Sequence, residues 1–362
     1  MKERKLVLAN GTELLGKGFG SEKEVVCEVV FNTSVVGYQE ILSNPSYTEQ
    51  ILVMTYPLIG NYGIIDEDYD SKLIGPKGLI VREYNDKPSN FRYTKTLNEL
   101  LEENNVAGLT HLDTRKLTRI LRDEGNMTGI ICDAEVTKEE ALAKIEAYKC
   151  PTDLVARVSC RKKWYSRCAN PKFSVVVLDC GVTYSLVREL NRNGCNVTVV
   201  PYDTSCETIL SMKPDGVVVA GGPGNPQDAV QTIETLRQLQ GKKPLLGISL
   251  GAFLIALANG MKVEKMKTGR HGGNHPVRVM ESGRIEIVSL NHDWQIVKES
   301  IEACGAQMTH VNLLDDSAAG FEMKEKKEFA VVYTPDAAAG PQDCAALMKK
   351  LVDAMKGGNQ NA

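Results

Sequence analysis

From residue 173 onward the sequence alternates short apolar β-type runs with helical stretches, and this alternation limits the fold more than any other feature. Strands are predicted at 173–179, 196–201, 216–220 and 244–248, with helices at 183–193, 205–212 and 229–240 between them. Strands separated by helices imply a doubly wound parallel sheet, with ligands bound beyond the carboxyl ends of its strands. Two glycine-bearing segments follow such ends. Gly221-Gly222-Pro223-Gly224-Asn225-Pro226 is too irregular for a dinucleotide fingerprint and lacks the Lys-Ser/Thr ending of a phosphate-binding loop. Its free N–H groups suit an oxyanion hole. Gly247-Ile248-Ser249-Leu250-Gly251 closes the apolar run Pro244-Leu245-Leu246. A buried strand that breaks at glycine, presents one nucleophilic side chain and enters a helix reads as a nucleophile elbow. Ser249 is therefore the first candidate catalytic residue.

The first ~150 of the 362 residues read differently. Short β-type runs at 6–8, 24–31, 50–54 and 79–81 are punctuated by glycine and proline turns. Helices are predicted at 96–103, at 113–124 behind an Asp113 cap, and at 138–147. This is an α+β pattern. Between 151 and 172 the chain turns polar and irregular, with the basic run Arg161-Lys162-Lys163, so the expected layout is a domain at 1–150, a linker at 151–172 and a second domain at 173–358.

Composition removes several function classes. A net charge of -3 offers no footprint for nucleic acid or an anionic membrane. Met1-Lys2-Glu3-Arg4-Lys5 leads into Leu6-Val7-Leu8 and not into a signal-type apolar segment, and no apolar run approaches membrane-spanning length; a cytoplasmic protein is expected. The ten cysteines are scattered and form no C-x-x-C pair, which reads as free thiols with no metal site.

The chain resembles, over essentially its full length, the small, glutaminase-type subunit of carbamoyl-phosphate synthase, a class I glutamine amidotransferase. In the first domain the resemblance rests on Phe31-Asn32-Thr33-Ser34, Gly37-Tyr38-Gln39-Glu40, Pro45-Ser46-Tyr47, Ile59-Gly60-Asn61-Tyr62-Gly63 and Asp113-Thr114-Arg115-Lys116-Leu117. In the second it rests on Gly222-Pro223-Gly224, the elbow, His271-Gly272-Gly273-Asn274-His275-Pro276 and Asn291-His292. Other class I amidotransferases share the elbow and glycine loop but not this first domain. The resemblance implies a fold with an N-terminal α+β domain followed by a class I amidotransferase domain. It also implies a partner, the large ATP-dependent carbamoyl-phosphate synthase subunit. ATP and Mg are expected there, with no cofactor in this chain.

At the residues that carry the chemistry the sequence departs from that family. Its elbow cysteine, which attacks the glutamine amide, is Ser249 here. Its late His-Pro-Glu step reads Thr334-Pro335-Asp336, so base and orienting acid are both replaced. The Gly-His-Gln after the elbow reads Gly251-Ala252-Phe253, and Asn-His-Gly-Phe reads Asn291-His292-Asp293-Trp294. Thr183 and Ser185 replace a Lys and an Asn after the first strand's glycine and are read as altering a surface outside the pocket. By resemblance the ligand-contacting set is Ser46, Gly222, Gly224, Leu250, Phe253, Asn291, Asp293 and Trp294. Phe253 and Trp294 are expected to oppose each other and narrow the cavity.

A serine without a base is a far poorer nucleophile than a partly ionised thiol. The reading is therefore a small chain for carbamoyl phosphate supply to arginine and pyrimidine biosynthesis, its glutaminase half-reaction lost: a pseudo-glutaminase. Two alternatives stay open here: a repurposed regulatory or ligand-binding paralogue, and a serine hydrolase that would need a histidine in reach of Ser249.

Overall fold

The computed structural model describes residues 2–335, 340–341 and 345–357. It divides into two compact units, one formed by the chain up to Pro151 together with Lys267–His271, the other by Thr152–Met266 and the chain from Gly272.

The first unit is a closed seven-stranded barrel. Its strands run in the order Glu3–Leu8, Glu13–Gly20, Ala107–Thr110, Gly78–Ile80, Gln50–Met54, Val25–Asn32 and Met127–Asp133, and the last pairs back onto the first. Strand alternation explains the packing: Leu6, Leu8, Cys27, Val29, Ile51, Val53 and Ile131 share one buried cluster with Leu117 and Leu121 of the helix Thr114–Glu124. Val7, Ile130 and Cys132 point the other way and meet Ala141 and Ile145 of the helix Lys138–Ala147. Local chemistry sets the helix starts. Thr96 with Glu99 and Thr137 with Glu140 form capping boxes, and the Asp113 carboxylate accepts from the Lys116 N–H. The α+β pattern predicted from sequence takes the form of a barrel because each short strand finds a second neighbour, leaving no sheet edge exposed.

The second unit is built on an eleven-stranded sheet. Five neighbouring strands are parallel, in the order Cys195–Pro201, Phe173–Asp179, Gly216–Val219, Leu245–Ile248 and Glu328–Val331. Helices Tyr184–Arg192, Cys206–Ser211 and Val230–Leu239 connect the first four, close to the predicted spans. Beyond Glu328–Val331 the sheet turns antiparallel through Ala318–Met323, Gln307–Asn312 and Val263–Val279, and then continues with Ile285–Ile296 and Tyr333–Thr334. Residues expected to be an irregular linker instead contribute the helix Leu154–Val158 and the strand Trp164–Ser166, which pairs antiparallel with Cys195–Pro201 at the sheet edge. The basic run lies between these two elements, so charge there disguised an edge strand. Thr183 and Ser185, read as surface changes, are only 8% and 5% exposed. They begin a helix that packs against the sheet. No helix among the described residues is long and apolar enough to cross a membrane.

Candidate functional site

Ser249 sits where the strand Leu245–Ile248 ends and the helix Leu250–Ala258 begins. The strand is wholly buried, and so are eight of the nine helix residues, which is the signature of a helix enclosed on every side. Two glycines make the approach possible. A Cβ on Gly251 would lie 2.2 Å from the Val219 carbonyl oxygen, and one on Gly222 would lie 2.0 Å from that of Cys180. Only hydrogen fits at either position. Ser249 itself holds φ 51° and ψ -115°, a left-handed conformation that costs a non-glycine residue about 1–3 kcal/mol. Its N–H donates to Val331 O at 2.9 Å, which pins the turn to the neighbouring parallel strand.

The glycine loop lies against this turn. A Cβ on Gly221 would be 3.4 Å from the Ser249 Cβ, and one on Gly222 would be 3.0 Å from the Leu250 side chain. Gly224 belongs to a different hollow. It packs toward Leu154 and lines a cleft of about 300 Å³ with Tyr202, Asn225 and Asp228, none of them elbow residues. Gly222 thus lies against Leu250 and Gly221 against Ser249, while Gly224 lines the cleft beside Leu154.

The Ser249 hydroxyl is 3% exposed as a residue and donates, at 3.4 Å, to the backbone carbonyl of Asn291. No histidine among the described residues hydrogen-bonds to it. Thr334 lies in the short strand Tyr333–Thr334, paired antiparallel with Ser289 and Leu290, and its hydroxyl donates to Ser289 O at 3.1 Å. Ser289 and Asn291 are two residues apart on one strand, so their carbonyls point the same way, roughly 7 Å apart. The two hydroxyls therefore occupy neighbouring acceptors on one strand edge. Each donates its proton to a carbonyl, and neither is basic enough to take a proton from a reacting group as an imidazole does. Asp336 lies outside the described residues.

His292 follows Asn291 on the same strand. Its Nδ1 is 2.7 Å from Trp294 O. A carbonyl can only accept, so Nδ1 carries the proton and this bond fixes the tautomer. The His292 ring meets Phe253 edge-on with centroids 5.5 Å apart. Phe253, expected to oppose Trp294, has His292 as a ring neighbour and is 1% exposed inside the main core. Trp294 is half-buried against that core, and Asp293 is half-buried beside it. Ser46 belongs to the first unit, in the turn Pro45–Tyr47, where its N–H donates to the Asn44 side chain at 2.9 Å.

Backbone carbonyls were missed by residue-level reasoning because side-chain patterns carry no record of them: Asn291 O, Val331 O and Cys180 O all shape the elbow. Asp179 was missed too. Its carboxylate accepts from Gly181 N–H (3.1 Å), Val182 N–H (2.8 Å) and Cys160 N–H (2.8 Å), so it holds the loop that carries Cys180. An Asp directly before Cys-Gly at a strand end was the available signal. Burial pushes the Cys180 thiol well above its ordinary range, so this cysteine supplies no thiolate beside the glycine loop. No group of three or more His, Cys, Asp or Glu among the described residues is arranged to hold a metal ion.

An elbow with a helix at its back and a glycine loop against it defines an amidotransferase-type α/β unit, here preceded by a barrel. Residues 176–354 match the glutamine amidotransferase class-I family, and residues 6–131 match the carbamoyl-phosphate synthase small chain, CPSase domain, family. The carbamoyl phosphate synthase small chain of Listeria innocua is 43% identical over 355 residues, 98% of this chain and 97% of that one. The pyrimidine-specific small chain of Halalkalibacterium halodurans is 43% identical over 360 residues, 99% of each. A glutamine amidotransferase structure from Thermotoga maritima is similar at 16% identity over 52% of this chain and 84% of that one, with a TM-score of 0.37. The chain belongs to the carbamoyl-phosphate synthase small chain family.

Proposed function

We propose that this small chain no longer hydrolyses glutamine and serves a large ATP-dependent carbamoyl-phosphate synthase chain that draws on free ammonia. The observation that carries the reading is the Ser249 hydroxyl, bonded to the Asn291 carbonyl with no histidine among the described residues bonded to it. A hydroxyl in that state lacks the base that a serine nucleophile requires. The same observation counts against the serine-hydrolase alternative, because the Ser249 hydroxyl donates to a carbonyl and to no histidine among the described residues. By resemblance, Thr334 and Asp336 stand where the family places its base and orienting acid, and removal of such a unit costs on the order of 10⁴–10⁶ in rate. ATP and Mg would act on the large chain and not on this one. The product would feed arginine and pyrimidine biosynthesis in the cytoplasm.

The test is ammonia release from glutamine by the purified full chain. The wild type and Ser249→Ala should both stay at background, and Ser249→Cys alone should not rescue turnover. Cys at 249, His at 334 and Glu at 336 together, with Gln at 253, should restore it in part. Wild-type turnover that vanishes in Ser249→Ala would refute the reading.

A further inference from the structure

Two free cysteines face each other at the edge of the eleven-stranded sheet. The edge strand Trp164–Ser166 pairs antiparallel with Cys195–Pro201, Trp164 opposite Val199, Tyr165 opposite Thr198 and Ser166 opposite Val197. Continued along both chains, that register brings Cys168 opposite Cys195. The alternation of burial continues with it. Trp164, Ser166 and Cys168 are half-buried while Tyr165 and Arg167 are exposed, and Val199, Val197 and Cys195 are buried on the facing strand. Residues two apart on a strand point the same way, so the two cysteines share a face. The helix Tyr184–Arg192 covers that face, with Asn191 donating to Ser166 Oγ at 2.6 Å.

Cys168 stays at this position after the strand ends. Its N–H donates to Asn196 Oδ1 at 3.2 Å, and its Sγ lies 3.9 Å from the same oxygen, on the residue next to Cys195. Just beyond, the N–H groups of Lys172 and Phe173 donate to Gly194 O at 2.8 and 3.2 Å, so the chain wraps closely around the start of the facing strand. Directly opposed residues of an antiparallel pair hold their Cβ atoms about 4.5–5.5 Å apart, and a disulfide needs about 3.5–4.5 Å. An inward shift of about 1 Å closes that gap, and an edge strand with one neighbour can make it.

The two thiols differ in access. Cys195 is 0% exposed, and burial pushes its thiol up to about 11, with Cys168 near enough to add to the rise. Cys168 is half-buried, so it meets an oxidant from solution first and Cys195 resolves the product.

We propose that Cys168 and Cys195 form a reversible disulfide that staples the edge strand to the sheet. The oxidant is a small-molecule disulfide such as oxidised glutathione. Cys168 loses its proton, attacks one glutathione sulfur and expels the other glutathione as thiolate. Cys195 then loses its proton, attacks the Cys168 sulfur of the mixed disulfide and expels the second glutathione thiolate. The two thiolates take up the two protons, so two protein thiols are oxidised and one glutathione disulfide is reduced. The ring spans residues 168–195 and encloses the strand Phe173–Asp179 and the helix Tyr184–Arg192. Disulfides on a shifted, accessible edge are the readily reduced, regulatory kind.

The experiment equilibrates the full chain with oxidised glutathione and maps its peptides without reduction. The Cys168 peptide should be joined to the peptide that carries Cys195 and Cys206, with fragmentation placing the link at Cys195. The oxidised protein should melt about 5–10 °C above the reduced one, and dithiothreitol should reverse the shift. Cys168→Ser and Cys195→Ala should each abolish the link and the shift, whereas Cys304→Ser, at a half-buried cysteine elsewhere in the same unit, should keep both. Absence of the link in oxidised wild type, a link from Cys168 to another cysteine or to a second chain, or a shift that survives Cys168→Ser would each overturn the inference.

Discussion

Gly251→Ala tests the elbow's construction, because two opposing effects have sizes that can be compared. Alanine in place of glycine inside a helix stabilises by about 1 kcal/mol from propensity alone. Here the added methyl would stand 2.2 Å from Val219 O, 2.8 Å from its carbonyl carbon and 2.9 Å from its Cβ. Those atoms cannot retreat easily, since Val219 is paired with Leu178 on one side and Gly247 on the other. Relief requires the helix to move by about an ångström against a close-packed core, which costs about 3 kcal/mol or more. The clash wins, with a net loss of about 2 kcal/mol or more. In a unit of this size that is a fall of about 4–8 °C in melting temperature. Gly241→Ala is the control: nothing lies within 4 Å of the new methyl, but φ is +70°, so only a backbone cost of about 1–2 kcal/mol applies. Calorimetric or circular-dichroism melts of the three proteins decide the matter. A Gly251→Ala protein that melts at or above wild type would refute the close approach of helix and strand.

The strain at Ser249 predicts that Ser249→Gly is more stable than Ser249→Ala by about 1 kcal/mol, because relief of the left-handed conformation exceeds the extra chain entropy of glycine; urea titration of both reads this directly, and an alanine variant at least as stable as the glycine one would contradict it. Burial, with Lys350 nearby, pushes the His310 imidazole down to about 4. Between pH 6.5 and about 4 the unfolded chain binds a proton that the folded chain does not, so stability falls as pH drops through that window, by on the order of 2–3 kcal/mol. His310→Gln should flatten this slope in urea titrations at pH 7, 6 and 5, and an unchanged slope would show that His310 does not cause it.

Much of the second unit was legible from periodicity. The span 173–179 was predicted at its observed bounds, and the next three strands differ from prediction by a residue at one end, because apolar runs in a parallel sheet are uniformly buried and end at glycine or a polar turn. The antiparallel extension was less legible. His271-Gly272-Gly273-Asn274-His275 carries no alternating apolar pattern, yet it lies within the strand Val263–Val279. The barrel was legible only as strands. Closure depends on the pairing of Glu3–Leu8 with Met127–Asp133 across more than a hundred residues, which no local window records. At the site, the elbow and glycine loop were readable because each needs a particular residue type at a particular turn. The partners of Ser249 were not, because they are backbone carbonyls. The burial of Phe253 was not legible either: at a position where the family has a glutamine, an apolar ring is drawn into the core, where His292 meets its edge.

The complex of this chain with its large partner should be supplied with bicarbonate, ATP and either ¹⁵N-ammonium or amide-¹⁵N glutamine, and the carbamoyl phosphate trapped and analysed by mass spectrometry. The account predicts label from ammonium and none above background from glutamine. Label from glutamine at a rate comparable to that from ammonium, lost in Ser249→Ala, would contradict it.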